Sequence, residues 1–197
     1  MTLKRIAILC VMLMPTLVFG QGNDPSPAEK CRFVTAADLA DAAAPAFGEY
    51  PTAAAKVVSA SQLDLKSNPI ARRYRTVLRR EMAEGPNYAG HYRLAFWGCG
   101  ASCAMFAVIN LRTGSVITPK EFGYVLGTNL AADDFLAGAP SDGWGFRFMR
   151  NSSLLVVLGA PDEDESKTGA YYFVLQDEKL HLIHTTIPTK NCENTKP

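Results

Sequence analysis

The spacing of apolar residues changes at Gly85-Pro86, and this change restricts the chain to folds that join a helix to a sheet. Upstream, an asparagine that can cap a helix precedes a proline suited to its first turn, at Asn68-Pro69. Apolar residues then recur at the spacing of one helix face, at Ile70, Tyr74, Val77 and Leu78. Downstream of Pro86, residues 91–97 alternate instead with a period of two, as in a strand. We therefore expect a helix that ends at Gly85-Pro86 and a strand that follows it.

The helix has a strongly basic side opposite its apolar stripe. Five arginines occupy it, Arg72, Arg73, Arg75, Arg79 and Arg80. A solvated charged face is the ordinary interpretation, and a site for an anionic ligand is the alternative. Glu81 points with the apolar stripe. Either the last turn frays or this carboxylate reaches inward to a partner, and we expect fraying.

Seven segments have the composition and alternation of β-strands. They are His91–Trp97, Met105–Asn110, Val116–Thr118, Gly145–Arg150, Leu154–Leu158, Tyr171–Leu175 and Leu180–Thr186. The last four are joined by short connections, which favour antiparallel neighbours over parallel crossovers. Thr35-Ala-Ala-Asp38 resembles a helix-start box and predicts a short helix to about Ala44. The fold class is therefore α+β: an antiparallel meander of about six or seven strands with one or two packed helices.

The amino-terminal residues have the layout of a cleavable secretory signal. Lys4 and Arg5 precede an apolar run from Ile6 to Phe19, and Gly20 ends it. The run has 14 residues, fewer than the ~20 that span a bilayer. We divide the chain into a signal peptide (1–20), a loose leader (21–34), one domain (35–192) and a short tail (193–197). The mature protein is expected in the periplasm or outside the cell, with no membrane span.

Charge argues against a nucleic-acid partner. Without Lys4 and Arg5, the chain keeps 18 basic and 19 acidic side chains, a formal charge of −1. Non-specific binding of nucleic acids depends on many cations that neutralise phosphates. The expected partner is instead a protein or a small ligand of the cell envelope.

Four cysteines remain after signal cleavage, and export favours disulfides over free thiols. We favour the pairs Cys99–Cys103 and Cys31–Cys192, out of three possible connectivities. Small residues between Cys99 and Cys103 let that loop fold back. The second pair would join the two ends of the mature chain, which restricts the unfolded state by roughly 4–5 kcal/mol. The fold is thus expected to be braced by disulfides.

The segment that links helix and strand resembles part of a group of exported bacterial proteins without an assigned activity. The likeness is carried by the run Asn87-Tyr88-Ala89-Gly90-His91-Tyr92, by Trp97-Gly98-Cys99-Gly100 with Cys103, and by strand–Thr-Gly–strand over Ala107–Val116. It covers about Ile70–Thr118. The resemblance implies export and kinship, and it supplies no catalytic residues.

One side of the first predicted strand is the best candidate for a binding face. His91, Arg93 and Trp97 share it, and Asn87 and Tyr92 flank it in the same motif. Aromatic rings and guanidinium groups dominate binding hot spots. The structural alternative is that Trp97 belongs to the core and His91 is a hydrogen-bonded structural residue, since the pattern does not show which strand face is covered.

Catalytic and metal sites are less well supported. A hydrolase using Ser102 or Cys103 with His91, His181 or His184 is the competing hypothesis, but the residues after Ser102 favour a strand where a serine elbow requires a helix. A disulfide would also remove the thiolate of Cys103. The acidic stretch at 162–166 lacks the glycine and glutamate of a calcium loop. We predict a non-catalytic binding module with no cofactor and no metal.

We expect the secreted chain to begin near Gln21 and to carry no free thiol. Alkylation of the unreduced protein should leave Cys31, Cys99, Cys103 and Cys192 unmodified, because each is bonded to another cysteine. Mass spectrometry of the intact protein and of its peptides measures both properties. Free thiols at Cys99 and Cys103 would contradict the bracing disulfide and revive the enzyme hypothesis.

Overall fold

An eight-stranded antiparallel sheet and two short helices form the described part of the chain. The computed structural model describes residues 33–53, 62–127, 130–131 and 145–188. The strands are β1 (Val34–Thr35), β2 (Tyr92–Gly100), β3 (Cys103–Asn110), β4 (Val116–Ile117), β5 (Tyr124–Leu126), β6 (Leu130–Ala131), β7 (Phe146–Phe148), β8 (Leu154–Pro161), β9 (Gly169–Gln176) and β10 (Lys179–Thr186). The helices are α1 (Pro69–Arg73) and α2 (Arg75–Ala83). The predicted α+β class is confirmed.

Strands β7 to β10 of the main sheet form the predicted meander, in which each strand pairs with the next one along the chain. The order of the sheet is β10-β9-β8-β5-β3-β2, with β4 on β3 and β7 on β8, and all pairs are antiparallel. β1 and β6 form a separate parallel pair. Each of the seven predicted strands overlaps a strand of the sheet. β5 is the eighth, and it was not predicted because three residues are too few to show an alternating pattern.

The sheet curls around a core of aromatic rings. Phe96 on β2 stacks on Phe146 of β7 with 5.5 Å between ring centroids, and Phe106 on β3 lies 5.1 Å from the same ring. β7 neighbours neither β2 nor β3 in the sheet. These contacts therefore bring two halves of one sheet face to face, as in a sandwich or barrel.

A glycine marks the place where β8 passes from one half of the sheet to the other. Residues up to Gly159 pair with β9, whereas Ala160 and Pro161 pair with β5. Gly159 has φ = 142°, and a Cβ atom there would lie 2.6 Å from the carbonyl oxygen of Leu126. A side chain would thus collide with the neighbouring strand, so the bend requires glycine.

The helices begin as the sequence predicts and pack on the outer face of β2 and β3. The Asn68 side chain accepts a hydrogen bond from the Ile70 N–H at 2.9 Å, and Pro69 is the first helical residue. The expected single helix is interrupted at Tyr74, whose ψ is 27°. Leu78 and other buried side chains then pack on Ala95 and its neighbours in the sheet. No helix within the described ranges has the length and apolar character to cross a membrane.

The helix predicted over Thr35–Ala44 is absent, and turns replace it. The helix-start contacts do form, since the Asp38 N–H donates to the Thr35 hydroxyl oxygen and the Thr35 N–H to the Asp38 carboxylate. Thr35, however, is held extended by pairing with Ala131. The carboxylate of Asp41 is hydrogen-bonded to His184 on β10. A helix of this length is marginal by itself, so these contacts prevail.

The Cys99–Cys103 disulfide is present at the turn of the β2–β3 hairpin. The two Cα atoms are 5.2 Å apart, and the register shifts between Gly98 and Gly100. Cys99 is exposed and Cys103 is buried. Cys31 and Cys192 lie outside the described residues, so their pairing stays a prediction.

The turn before β2 is hydrogen-bonded to the connection between β7 and β8, which is distant in the sequence. Tyr88 donates its hydroxyl to the carbonyl oxygen of Ser153 at 2.5 Å, and the Gly90 N–H donates to the carbonyl oxygen of Arg150 at 2.6 Å. Gly90 has φ = 80°, and a Cβ there would lie 2.6 Å from the carbonyl oxygen of Ala53. The turn therefore tolerates only glycine at this position.

Gly90→Ala should destabilise the protein more than Gly85→Ala does, by roughly 2 kcal/mol or more. Both glycines have φ near 80°, so both variants incur the left-handed strain of about 1–2 kcal/mol. Only at Gly90 does the new methyl group meet backbone, since a Cβ at Gly85 meets nothing within 4 Å. Urea denaturation of the two variants measures the difference. Equal midpoints would show that the turn relaxes away from Ala53.

Candidate functional site

Arg93 binds the second helix rather than solvent. Its Nη2 and Nε atoms donate to Oε2 of Glu81 at 2.8 and 3.2 Å, and its Nη1 donates to the carbonyl oxygen of Gly85 at 3.3 Å. Both side chains are less than a fifth exposed. The expected fraying at Glu81 is wrong, because this ion pair holds the last turn of α2 against β2.

Asn87 and Tyr92 serve the fold around the start of β2. The Asn87 amide accepts from the Leu94 N–H at 2.7 Å and donates to the Leu94 carbonyl at 3.1 Å. It thereby satisfies the outer edge of β2 as a neighbouring strand would. The Tyr92 side chain packs against the aromatic core. Whether either residue contacts a partner stays a prediction.

His91 lies at the opposite end of the hairpin from the disulfide. Its ring centroid is 4.2 Å from that of Tyr92. Burial lowers the pKa of His91 below its usual value, Arg112 lowers it further, and Glu178 opposes them. The neutral imidazole is thus favoured in the folded protein.

Trp97 lies on the outer face of β2, beneath the junction of the two helices. Its ring centroid is 4.9 Å from that of Tyr74, and the planes are inclined at 44°. The indole Nε1 is buried, and within the described part of the chain it has no hydrogen-bond partner. Buried indole N–H groups usually find an acceptor, so this donor requires an explanation.

A surface groove of about 370 Å³ runs beside Trp97. Aromatic, aliphatic and cationic side chains border it: Arg73, Tyr74, Thr76, Val77, Arg80 and Trp97. The guanidinium of Arg73 lies 5.5 Å from the centre of the Tyr74 ring, and Nη2 of Arg80 is 3.6 Å from Glu81. Both arginines are exposed. A cleft with apolar walls and a few charged groups is the usual form of a small-ligand site.

The structure thus separates the five predicted binding residues. Trp97 borders the groove, Arg93 and Asn87 are engaged within the protein, and His91 and Tyr92 lie toward the other end of β2. Tyr74 and Val77, which the periodicity placed in the core, pack against it and also border the groove. Their apolar spacing was the available signal, and it does not distinguish a covered stripe from the wall of a cleft.

The residues of the hydrolase hypothesis do not meet. Ser102 lies at the exposed tip of the β2–β3 hairpin, and Cys103 is bonded to Cys99. His91 is at the other end of that hairpin. His181 and His184 lie on β10, which β9, β8 and β5 separate from β3. The His184 ring bonds Asp41 and Thr186 rather than Ser102 or Cys103.

A second polar cluster joins β10 to the segment after β1. His184 Nε2 is 2.8 Å from Oδ2 of Asp41, and the Thr186 hydroxyl donates to the same oxygen at 3.1 Å. Hydrogen bonds from Ala43 and His184 hold the pKa of Asp41 below its ordinary value. In a catalytic triad, the carboxylate and the hydroxyl meet different ring nitrogens. Here both lie near Nε2, so the cluster ties the chain together without that geometry.

Among the described residues, no three His, Cys, Asp or Glu side chains are grouped so that they could hold a metal ion. The acidic stretch after β8 is instead bonded internally, with Lys167 Nζ 2.8 Å from Oδ2 of Asp164. Within the described residues, the groove beside Trp97 is the candidate binding site.

Comparisons with known proteins give no family or relative. No family model, no curated protein and no solved structure matches the chain.

The pKa of His91 should respond in opposite directions to two charge removals. Arg112→Gln should raise it and Glu178→Gln should lower it, as NMR titration of the imidazole resonances can measure. Because the pKa is lower in the folded than in the unfolded state, stability should fall as the pH drops below about 6.5. His91→Gln should reduce this loss. Unchanged titration in both charge variants would place His91 away from Arg112 and Glu178.

Proposed function

We propose that this protein is an exported binding module of the cell envelope, without catalysis, and that its binding site is the groove beside Trp97. Its partner is a protein, which it inhibits or neutralises, or a small envelope ligand. The signal-like amino terminus and the cysteines support export. The groove supports a binding role because it combines aromatic walls with cationic groups at one place.

The observation that carries this proposal is the buried indole N–H of Trp97. A buried donor without a partner costs about 1–3 kcal/mol in folding free energy. A ligand that supplies an acceptor recovers part of this cost on binding. Groups left unsatisfied in a native fold occur at functional sites, where a missing ion, water or ligand completes them.

The disulfide also supports this binding site, because it stabilises the strand end that carries Trp97. Trp97 is two residues before Cys99, and the hairpin turn is short and glycine-rich. The Cys99–Cys103 bond closes this turn, so it limits the motion of the strand end that carries Trp97. Arg93, four residues before Trp97, fixes the helix on the other side of the groove. A site held on both sides loses less conformational entropy when it binds.

A photo-crosslinking amino acid at Thr76 should capture the partner in the envelope of producing cells. Thr76 is exposed and borders the groove, whereas Ser166 is exposed and lies on the connection between β8 and β9, so it is the matched control. We expect an adduct at Thr76 that weakens strongly in Trp97→Phe, which keeps an aromatic ring and deletes the N–H. Mass spectrometry of the adduct identifies a protein or a small molecule.

Two results would overturn this proposal. Equal crosslinking at Thr76 and Ser166 would show that the groove is not a preferred contact surface. Recovery of the protein in the cytoplasm with residues 1–20 attached would contradict export. Circular dichroism of each variant checks that it is folded.

A further inference from the structure

We infer that the groove beside Trp97 binds a small amphipathic carboxylate, with the carboxylate between the indole N–H and the guanidinium groups and the apolar body against the rings. This inference rests on the proposed binding function and names the ligand class. The argument uses the hydrogen-bonding capacity of the groove, its charge and its walls.

The polar groups that border the groove are almost all donors. Arg73 and Arg80 carry guanidinium groups, which donate and cannot accept. Trp97 adds an indole N–H, which also only donates. The hydroxyls of Tyr74 and Thr76 can donate and accept, so no side chain of the lining only accepts. A ligand that complements this set must present acceptors, as a deprotonated acid does.

The charge beside the groove has the sign that attracts such an acid. Helices α1 and α2 carry five arginines and one acidic side chain, Glu81. Glu81 is bound by Arg93 at 2.8 Å, and its 3.6 Å approach to Arg80 is longer. Since all five arginines are exposed, the helices present a positive surface on a chain whose formal charge is only +1. Local fields of this kind concentrate ions of the opposite sign.

The walls of the groove require an apolar body on the ligand. The rings of Tyr74 and Trp97 are 4.9 Å apart, and Val77 lies beside them in the lining. An inorganic anion would leave these surfaces in water, whereas an alkyl or aryl chain would cover them. The cavity of about 370 Å³ lies within the range of small-molecule sites.

A carboxylate fits the donors better than a phosphate ester does. One indole N–H and two guanidinium groups at the border suit a planar group with two oxygens. A phosphate carries more charge and a third acceptor oxygen, so it requires more donors than a carboxylate does. Because Nε1 is buried, the ligand must displace side chains that cover it. Arg73 and Arg80 are exposed side chains of the lining that can reorient toward a bound carboxylate.

Isothermal titration calorimetry with chemically matched probes tests the ligand class. The mature protein is titrated with octanoate, 1-octanol, acetate and octyl phosphate. We expect saturable binding of octanoate, and binding at least about tenfold weaker for 1-octanol, which lacks the charge, and for acetate, which lacks the chain. Tighter binding of octyl phosphate than of octanoate would overturn the choice of carboxylate.

Two double variants with the same change in net charge identify the site. Arg73→Gln/Arg80→Gln removes the arginines of the groove, and Arg75→Gln/Arg79→Gln removes two exposed arginines of the same helical region that do not line it. The first pair should weaken octanoate binding about tenfold or more, and the second less than about threefold. Trp97→Phe should weaken it as well. Equal losses in the two double variants would show attraction by net charge alone and overturn the assigned site.

The two proposals fail in different ways. If none of the four probes binds while the Thr76 crosslink still captures a partner, the ligand class is wrong and the binding module stands. If Thr76 captures nothing above Ser166 and no probe binds, both proposals are wrong.

Discussion

The ion pair between Glu81 and Arg93 is the contact on which the arrangement of helices and groove depends. It joins the last turn of α2 to the start of β2, and both side chains are mostly buried. Such pairs add little net stability, because desolvation offsets the attraction, but loss of one partner leaves an unpaired charge. Their better-supported contribution is to fix register. Here the register places Tyr74 and the following turn of helix over Trp97, and the groove is the space that remains between them.

The residues that precede β2 make contacts that stabilise the fold. Asn87 replaces a missing strand neighbour at Leu94, and Tyr88 reaches Ser153 in the connection between β7 and β8. Gly90 passes so close to Ala53 that no side chain fits. Asn87, which the sequence suggests as a binding residue, is thus bonded to the protein's own backbone.

The sequence predicts what depends on local periodicity and misses what depends on distant partners. Alternation located seven strands, and the Asn68-Pro69 signal located the helix start. Glu81 was wrongly expected to fray, because a helical wheel gives the direction of a carboxylate and not the arginine on the following strand. Thr35 formed its predicted local hydrogen bonds, yet pairing with β6 kept it extended. The groove could not be predicted, since it requires knowing that α2 covers Ala95 and leaves the edge of Trp97 beside a cleft.

Two buried donors without partners occur in the described part of the chain, and their surroundings differ. The Tyr172 hydroxyl lies near Asp41 and Thr186, whose oxygens can accept after a small adjustment. In the groove beside Trp97, the side chains that can accept are the hydroxyls of Tyr74 and Thr76, and neither bonds Nε1. Packing does not account for the nitrogen either, because a phenylalanine would contact Tyr74 without burying a polar group. The Trp97 donor is thus poorly matched to its own protein, and an acceptor from outside the chain satisfies it most simply.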